Sequence, residues 1–351
     1  MEQGDRIFAS LAFAGLLVLG ACGADEAPPV VGSTPTPSPT PTPAPAPSPT
    51  PPPSVERNIP PAETNPAINT NLSAHFVINP DPQGAAKNRL FVMLPGTFAV
   101  PRTYRLIVRT GAAQGYHAIG LTYPNDETVG GLCGGSSDPA CSENVGREII
   151  TGSDTSSLVA VDPANSITGR LVALLEFLDA RFPGEGWGRY LDNDEPDWDL
   201  ITVAGHSQGG RHAGFLAKLV LLDRAVMFSA PGESGVGGTG PVAWTGLANV
   251  TPAERQYGFT HTQDNLVPLA NATRNWAAIG LDAFGPPFDV DGETPPFENA
   301  RQLITSAAPN PDPTGPSASP NHGAPVVDAV TPLDAQGRPL FEPVWIYLAF
   351  P

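Results

Sequence analysis

Residues 205–209 read Gly-His-Ser-Gln-Gly. They follow the apolar run Leu200-Ile201-Thr202-Val203-Ala204 directly and open a helical stretch from about Gly209 to Leu222. A hydroxyl on the turn between a buried strand and a helix stands exposed at the carboxyl end of the strand. The helix N-terminus beneath it favours a developing negative charge. Such a turn strains the backbone, so the residues two positions to either side must lack bulk. Gly205 and Gly209 meet that need, and Gly210 lets the next turn pack closely. In so glycine-rich a chain the pattern alone says little. Its strand-then-helix context is what makes Ser207 a candidate nucleophile.

A serine hydroxyl needs a general base, and the base needs an acid to orient it. Six histidines are available. His206 adjoins the serine and its side chain must diverge from it. His212 lies on the following helix, His117 begins a strand, His75 precedes the expected core and His261 sits within a strand. His322, in the C-terminal loop Asn321-His322-Gly323, is left as the base. The acid should close the strand that follows the one after the nucleophile. His261-Thr262-Gln263-Asp264-Asn265-Leu266-Val267-Pro268 puts Asp264 there, where the same carboxylate could instead cap the next helix. Glu233, in Ala230-Pro231-Gly232-Glu233, is the reserve acid.

Through Gly205-His206-Ser207-Gln208-Gly209, Asp264 with its Val267-Pro268 sequel, and His322, residues 75–350 resemble the α/β-hydrolase superfamily. The chain order Ser, Asp, His is that superfamily's own. Leu94-Pro95-Gly96-Thr97 and the segment from Trp198 to Gly210 look most like a branch of exported bacterial serine hydrolases. The resemblance implies a mostly parallel sheet with helices on both faces and hydrolysis of carboxylic esters through an acyl-enzyme. It implies no metal and no organic cofactor. It also places half of an oxyanion hole in the loop Pro95-Gly96-Thr97-Phe98, which lacks the His-Gly pair many relatives carry. The expected donors are therefore the backbone N–H of Thr97 or Phe98 with that of Gln208. Trp244 and His206 are expected near the substrate pocket. Residues 232–255 hold no long apolar lid, which favours soluble or polymeric esters over bulk lipid. A thioester or amide would suit the same triad, and a catalytically silent binding module is the alternative from another class.

The elements that must position these residues follow from hydrophobic runs. Arg89–Leu94 ends at Pro95-Gly96 and reads as a buried strand. Residues 103–115 read as a helix with Tyr104, Ile107 and Val108 on one face, and His117–Tyr123 as a strand. Ile167–Phe182 carries Leu171, Leu174, Leu175 and Leu178 at helical spacing. Ala225–Phe228 and Gln256–Thr262 read as strands, each with a helix behind. Arg301–Thr305 reads as the last strand and Pro343–Phe350 as a terminal helix. Strands alternating with helices point to an α/β fold. The segment from Asn125 to Ser166 reads as one long loop, of the kind that frames a site. Asp192-Asn193-Asp194-Glu195-Pro196-Asp197 lacks the glycine and terminal glutamate spacing of a calcium loop and reads as solvated.

Composition sets the surroundings. The 351 residues carry 18 basic and 35 acidic side chains, a net charge of −17, with only Lys87 and Lys218 as lysines. That balance excludes a nucleic-acid or anionic-membrane surface, either of which needs clustered cations. Residues 1–21 read as a signal peptide, with an apolar run from Ile7 to Leu19 too short to span a bilayer. Leu19-Gly20-Ala21-Cys22 resembles the bacterial lipobox, making Cys22 the lipidated residue. Residues 22–59 are expected to form a stalk, extended and proline-rich from Pro28 to Pro53, that holds a monomeric domain of residues 60–351 off an envelope membrane. Cys133 and Cys141, eight apart in a Gly/Ser-rich segment, are expected to form one local disulfide.

Overall fold

A computed structural model describes residues 55–80, 85–311 and 319–351. The expected signal peptide, Cys22 and the proline-rich stretch lie outside the described residues. Nine strands form the main sheet: β1 (Glu56–Ile59), β2 (His75–Ile78), β3 (Leu90–Leu94), β4 (His117–Gly120), β5 (Ile201–His206), β6 (Arg224–Phe228), β7 (Gln256–His261), β8 (Phe288–Asp289) and β9 (Gln302–Thr305). Their order across the sheet is β1-β2-β4-β3-β5-β6-β7-β9-β8. From β4 to the β8 edge every pairing is parallel, while β2 runs antiparallel to β4 and β1 antiparallel to β2. The fold is α/β with a mostly parallel sheet.

A parallel strand covered on both faces reads as an unbroken apolar run, because alternate residues enter two different cores. Leu90, Val92 and Leu94 of β3 join one core with Ile201, Val203, Ala225 and Met227. Phe91 and Met93 join the other with Ala204, Val226 and Phe228. Nine helices, α1 (Pro61–Thr64), α2 (Arg105–Ala113), α3 (Val129–Cys133), α4 (Cys141–Thr151), α5 (Ile167–Arg181), α6 (Gln208–Leu219), α7 (Leu269–Ile279), α8 (Pro320–Gly323) and α9 (Glu342–Ala349), complete the described chain with short 3-10 turns. Helices α4, α5, α6 and α7 cover the first core, and α2 and α9 the second. Helix α5 starts at Ser166, whose Oγ accepts the Gly169 N–H at 3.0 Å and satisfies a donor left open by the first turn.

The structure departs from the sequence reading in three places. Residues 56–59, expected in the stalk, form β1, held by the buried Ile59 and by ion pairs from Arg57 to Glu185 and from Arg109 to Glu56. The 125–166 segment is not a loop: it folds into α3 and α4, with Val145, Ile149 and Ile150 buried in the first core. Behind β6 there is no α-helix but three 3-10 turns within residues 236–255, where Gly, Pro and Thr interrupt any apolar stripe. The Asp192–Asp197 stretch is solvated as expected, with Asp192 to Glu195 exposed on a hairpin that turns through Asn193 and Asp194, both with positive φ. No helix of the described residues is long and apolar enough to cross a membrane.

Cys133 and Cys141 are joined as a disulfide that ties the end of α3 to the start of α4. Closing a loop of this length lowers the entropy of the unfolded chain by an amount equivalent to about 2.5 kcal/mol. Cys133→Ala, at the less buried end of the bridge, is therefore expected to lower the unfolding free energy by roughly that amount in a urea titration. An unchanged midpoint under non-reducing conditions would mean that the bridge does not form.

Candidate active site

Four strand ends meet at the carboxyl edge of the sheet, where loops of parallel sheets gather ligands. Ser207 follows β5 and precedes α6 with φ 54° and ψ −117°, a region that residues with a Cβ rarely enter. Its N–H donates to the Phe228 carbonyl at 2.9 Å, which holds the strained residue to the neighbouring strand. The flanking glycines are a steric requirement. A Cβ on Gly205 would stand 2.1 Å from the Gly209 carbonyl carbon, and one on Gly209 would stand 2.1 Å from the Leu94 oxygen.

His322 lies on the single turn α8. Its Nδ1 donates to Asp264 Oδ2 at 2.7 Å in a buried contact. The other oxygen of Asp264 accepts the N–H groups of Leu266 and Val267, both at 2.9 Å. Asp264 therefore does not cap helix α7, whose N-cap is Pro268 with no side-chain cap hydrogen bond; its second oxygen closes the loop turn before that helix. Burial raises the cost of ionising this carboxyl. The hydrogen bond and charge of His322, with the two N–H groups, outweigh that cost and hold its pKa below the ordinary value. Asn321 Nδ2 donates to the Gln263 carbonyl at 3.1 Å and fastens the α8 turn to the Asp264 loop.

Ser207 and His322 line one cavity of about 620 Å³. They are not hydrogen-bonded to each other, a bond that commonly tightens only when a substrate arrives. Thr97, Phe98 and Gln208 line the same cavity. The Phe98 N–H is engaged by the Asn125 carbonyl at 3.0 Å, so Phe98 is not an oxyanion donor. The N–H groups of Thr97 and Gln208 have no acceptor among the described residues. They are the pair that remains open beside Ser207.

Four other sequence expectations are resolved here. Glu233 lines the cavity but its carboxylate accepts from Arg211 Nε at 2.7 Å and makes no contact with His322. Arg211 is fully buried and also donates to the carbonyl and hydroxyl of Ser142. Breaking such a pair typically costs about 3–5 kcal/mol, so Glu233 is held in place as a counter-ion. Trp244 does not line the cavity. It is buried against Phe215, with its ring under the Arg211 guanidinium. His206 does line the cavity, though only an edge is accessible. Thr128, Val129, Gly130 and Gly131 bring the 125–166 insertion to the cavity wall, as its length suggested.

The sequence reading did not find Tyr104, Asn125 or Ser229 as parts of the site. Asn125 Nδ2 donates to the carbonyls of Gly96 and Ala99, and Tyr123 Oη to that of Pro95, so the 95–99 loop is pinned from below. No local pattern marks these residues. Their partners lie across the sheet. Neither the known protein families nor the curated proteins contain a match to this chain, so the site is read from its own geometry.

His75, His117 and His261 are engaged away from the cavity. His117 meets Tyr190 Oη and the Glu185 carbonyl, His75 accepts the Thr122 N–H, and His261 contacts the Ala307 carbonyl. Burial lowers His75 and His206 to about 3 and His117 to about 4, and places His212 well below its ordinary value. The unfolded chain takes up these protons near pH 6.5, whereas the folded chain does not. Stability must therefore fall as the pH drops from about 6.5 towards 4, by up to about 1.4 kcal/mol per pH unit for each such histidine. Urea midpoints measured between pH 7.5 and 4.5 are expected to decline steadily. A flat profile would contradict the neutral burial of these rings.

Proposed function

We propose that the chain is a serine hydrolase of the α/β-hydrolase superfamily that cleaves carboxylic esters. The observation that carries the reading is a serine held at a strained strand–helix turn, in one cavity with a histidine already hydrogen-bonded to a buried carboxylate. The parallel sheet, the position of Ser207 after a central strand and the order Ser207, Asp264, His322 support the superfamily.

In this reaction Ser207 Oγ attacks the ester carbonyl carbon while His322 Nε2 takes its proton. Asp264 keeps the remaining ring proton on Nδ1 and stabilises the imidazolium. The N–H groups of Thr97 and Gln208 receive the oxyanion, where loss of one donor typically costs about 10²–10³ in rate. The intermediate then expels the alcohol, which leaves with the proton from His322. Water, deprotonated by the same ring, attacks the acyl-enzyme and frees the acid and Ser207.

The walls favour an apolar group on the substrate. Val129, Val267 and Val327 line the cavity, and Phe98 and Leu266 on the same lining are 76% and 61% exposed. A second cleft of about 450 Å³ shares Gly130 and Glu233 with the first and is lined by Ser136, Ser142, Ser234 and Thr239. The site thus has room for an extended ester with an apolar part and a more polar one. The disulfide fits the exported setting inferred for the domain.

A fluorophosphonate probe tests the chemistry. The expected result is one covalent adduct on Ser207, absent in Ser207→Ala and in His322→Ala, and formed about 10⁴-fold more slowly in Asp264→Asn, where the ring is left in the wrong tautomer. A folded wild type that does not label would overturn the reading, and labelling that survives His322→Ala would overturn the choice of base. Along a p-nitrophenyl ester series, kcat/KM is expected to rise from acetate to butanoate to hexanoate, because each methylene buried against the valines contributes about 0.8 kcal/mol. A preference for acetate would mean that the apolar wall does not hold the acyl group.

A further inference from the structure

His206 adjoins the nucleophile, yet the reaction just described leaves it without a role. It closes β5 inside the protein, with both ring nitrogens engaged. Nε2 lies 2.9 Å from the His322 carbonyl, and Nδ1 lies 3.0 Å from Tyr104 Oη. A carbonyl can only accept, so Nε2 carries the ring proton. In a neutral imidazole Nδ1 is then an acceptor, and Tyr104 must donate to it. Tyr104 Oη in turn accepts the Gly96 N–H at 3.0 Å. Every proton in the chain Gly96, Tyr104, His206, His322 has one position. Burial, with the neighbouring His322, keeps the His206 ring neutral, and burial keeps the Tyr104 phenol protonated.

The two ends of this chain are the two halves of the site. Gly96 immediately precedes Thr97, whose open N–H is an oxyanion donor. His322 is the base, and its carbonyl also accepts Ser229 Oγ at 2.8 Å. The His206 and His322 rings stand 4.7 Å apart between centroids. At Gly96 a Cβ would lie 2.9 Å from His206 Nδ1, so the loop and the ring are in direct contact. The oxyanion loop and the α8 turn are 226 residues apart in sequence at these points, from Gly96 to His322. The side chains of Tyr104 and His206 together bridge them.

We propose that His206 is a positioning residue, a brace between the loop carrying Thr97 and the turn carrying His322 that keeps the oxyanion donor and the general base in one fixed geometry. The assignment rests on the serine hydrolase reading. Its effect appears in the chemical step and not in substrate affinity, because the brace touches the backbone of the base and leaves the apolar walls alone. Misplacing a catalytic group by about 1 Å can cost about 10²-fold in rate.

Two substitutions separate the two ends of the brace. In His206→Gln the side-chain amide reaches the former Nε2 position and can still donate to the His322 carbonyl. In His206→Asn the shorter side chain retains an acceptor for Tyr104 and cannot reach His322. With kcat and KM measured on a p-nitrophenyl ester at a temperature where circular dichroism shows every variant folded, His206→Asn is expected to lower kcat about 10²-fold while KM changes little. His206→Gln is expected to recover at least a tenth of the wild-type kcat. Equal losses in the two variants, a rise in KM without a fall in kcat, or an unaffected His206→Asn would each overturn the brace while wild-type labelling at Ser207 stands. A folded wild type that fails to label would remove the hydrolase reading and the brace together.

Discussion

A serine held at φ 54° and ψ −117° occupies backbone space that costs on the order of 1–3 kcal/mol, and it persists only where its surroundings overdetermine it. Around Ser207 the surroundings are β6, which takes its N–H, and β3, whose end abuts Gly209 so closely that no side chain fits between them. The same contact carries β3 into Pro95 and Gly96 and so delivers the Thr97 N–H beside the hydroxyl. The same turn leaves the Gln208 N–H outside the helix's own ladder, because the first amides of a helix have no partner within it. The placement of the Ser207 hydroxyl, the open Gln208 N–H and the approach of the Thr97 loop are thus consequences of one backbone constraint.

Electrostatics then sort the groups around the cavity. Two carboxylates stand near it, and their environments give them different work. Glu233 is paired with the buried Arg211 and makes no contact with His322. Among the described residues Asp264 pairs with His322, and its second oxygen is held by two backbone N–H groups. A carboxylate fixed in this way orients a neutral ring and stabilises that ring once it is charged. Arg211 thereby holds the Glu233 carboxylate, and Asp264 is the carboxylate that meets His322.

Ser207, Asp264, His322 and the Cys133–Cys141 pair were legible in the sequence because each depends on local pattern. Apolar runs mark the strands, glycines mark the turn, and elimination among six histidines leaves one. Tyr104, Ser229 and Asn125 were not legible, because their partners lie 102, 93 and 29 residues away and are chosen by the order of strands in the sheet. Thr97 and Phe98 could not be separated by sequence either. They differ only in which N–H the Asn125 carbonyl takes. Helix α4 was hidden by its Gly- and Ser-rich flanks, although Val145 and Ile149 repeat at four residues. Trp244 misled for the opposite reason: a tryptophan in a lidless stretch suggested a binding surface, and Phe215 and Arg211 had already covered it.

Gln208 shows how access to the cavity is joined to the chemistry. Its backbone N–H has no acceptor among the described residues, while its side-chain Oε1 accepts both the Val129 N–H at 3.1 Å and the Thr97 hydroxyl at 3.2 Å. One residue therefore ties the 125–166 insertion to the oxyanion loop. Arg211, one turn further along α6, ties the far side of the same insertion through Ser142, and the disulfide closes the segment between these anchors. Both anchors on the sheet side belong to the helix that starts at Ser207. The cavity wall formed by Thr128 to Gly131 is accordingly referenced to the helix that follows Ser207, because both side chains that anchor the segment, Gln208 and Arg211, stand on its first turns.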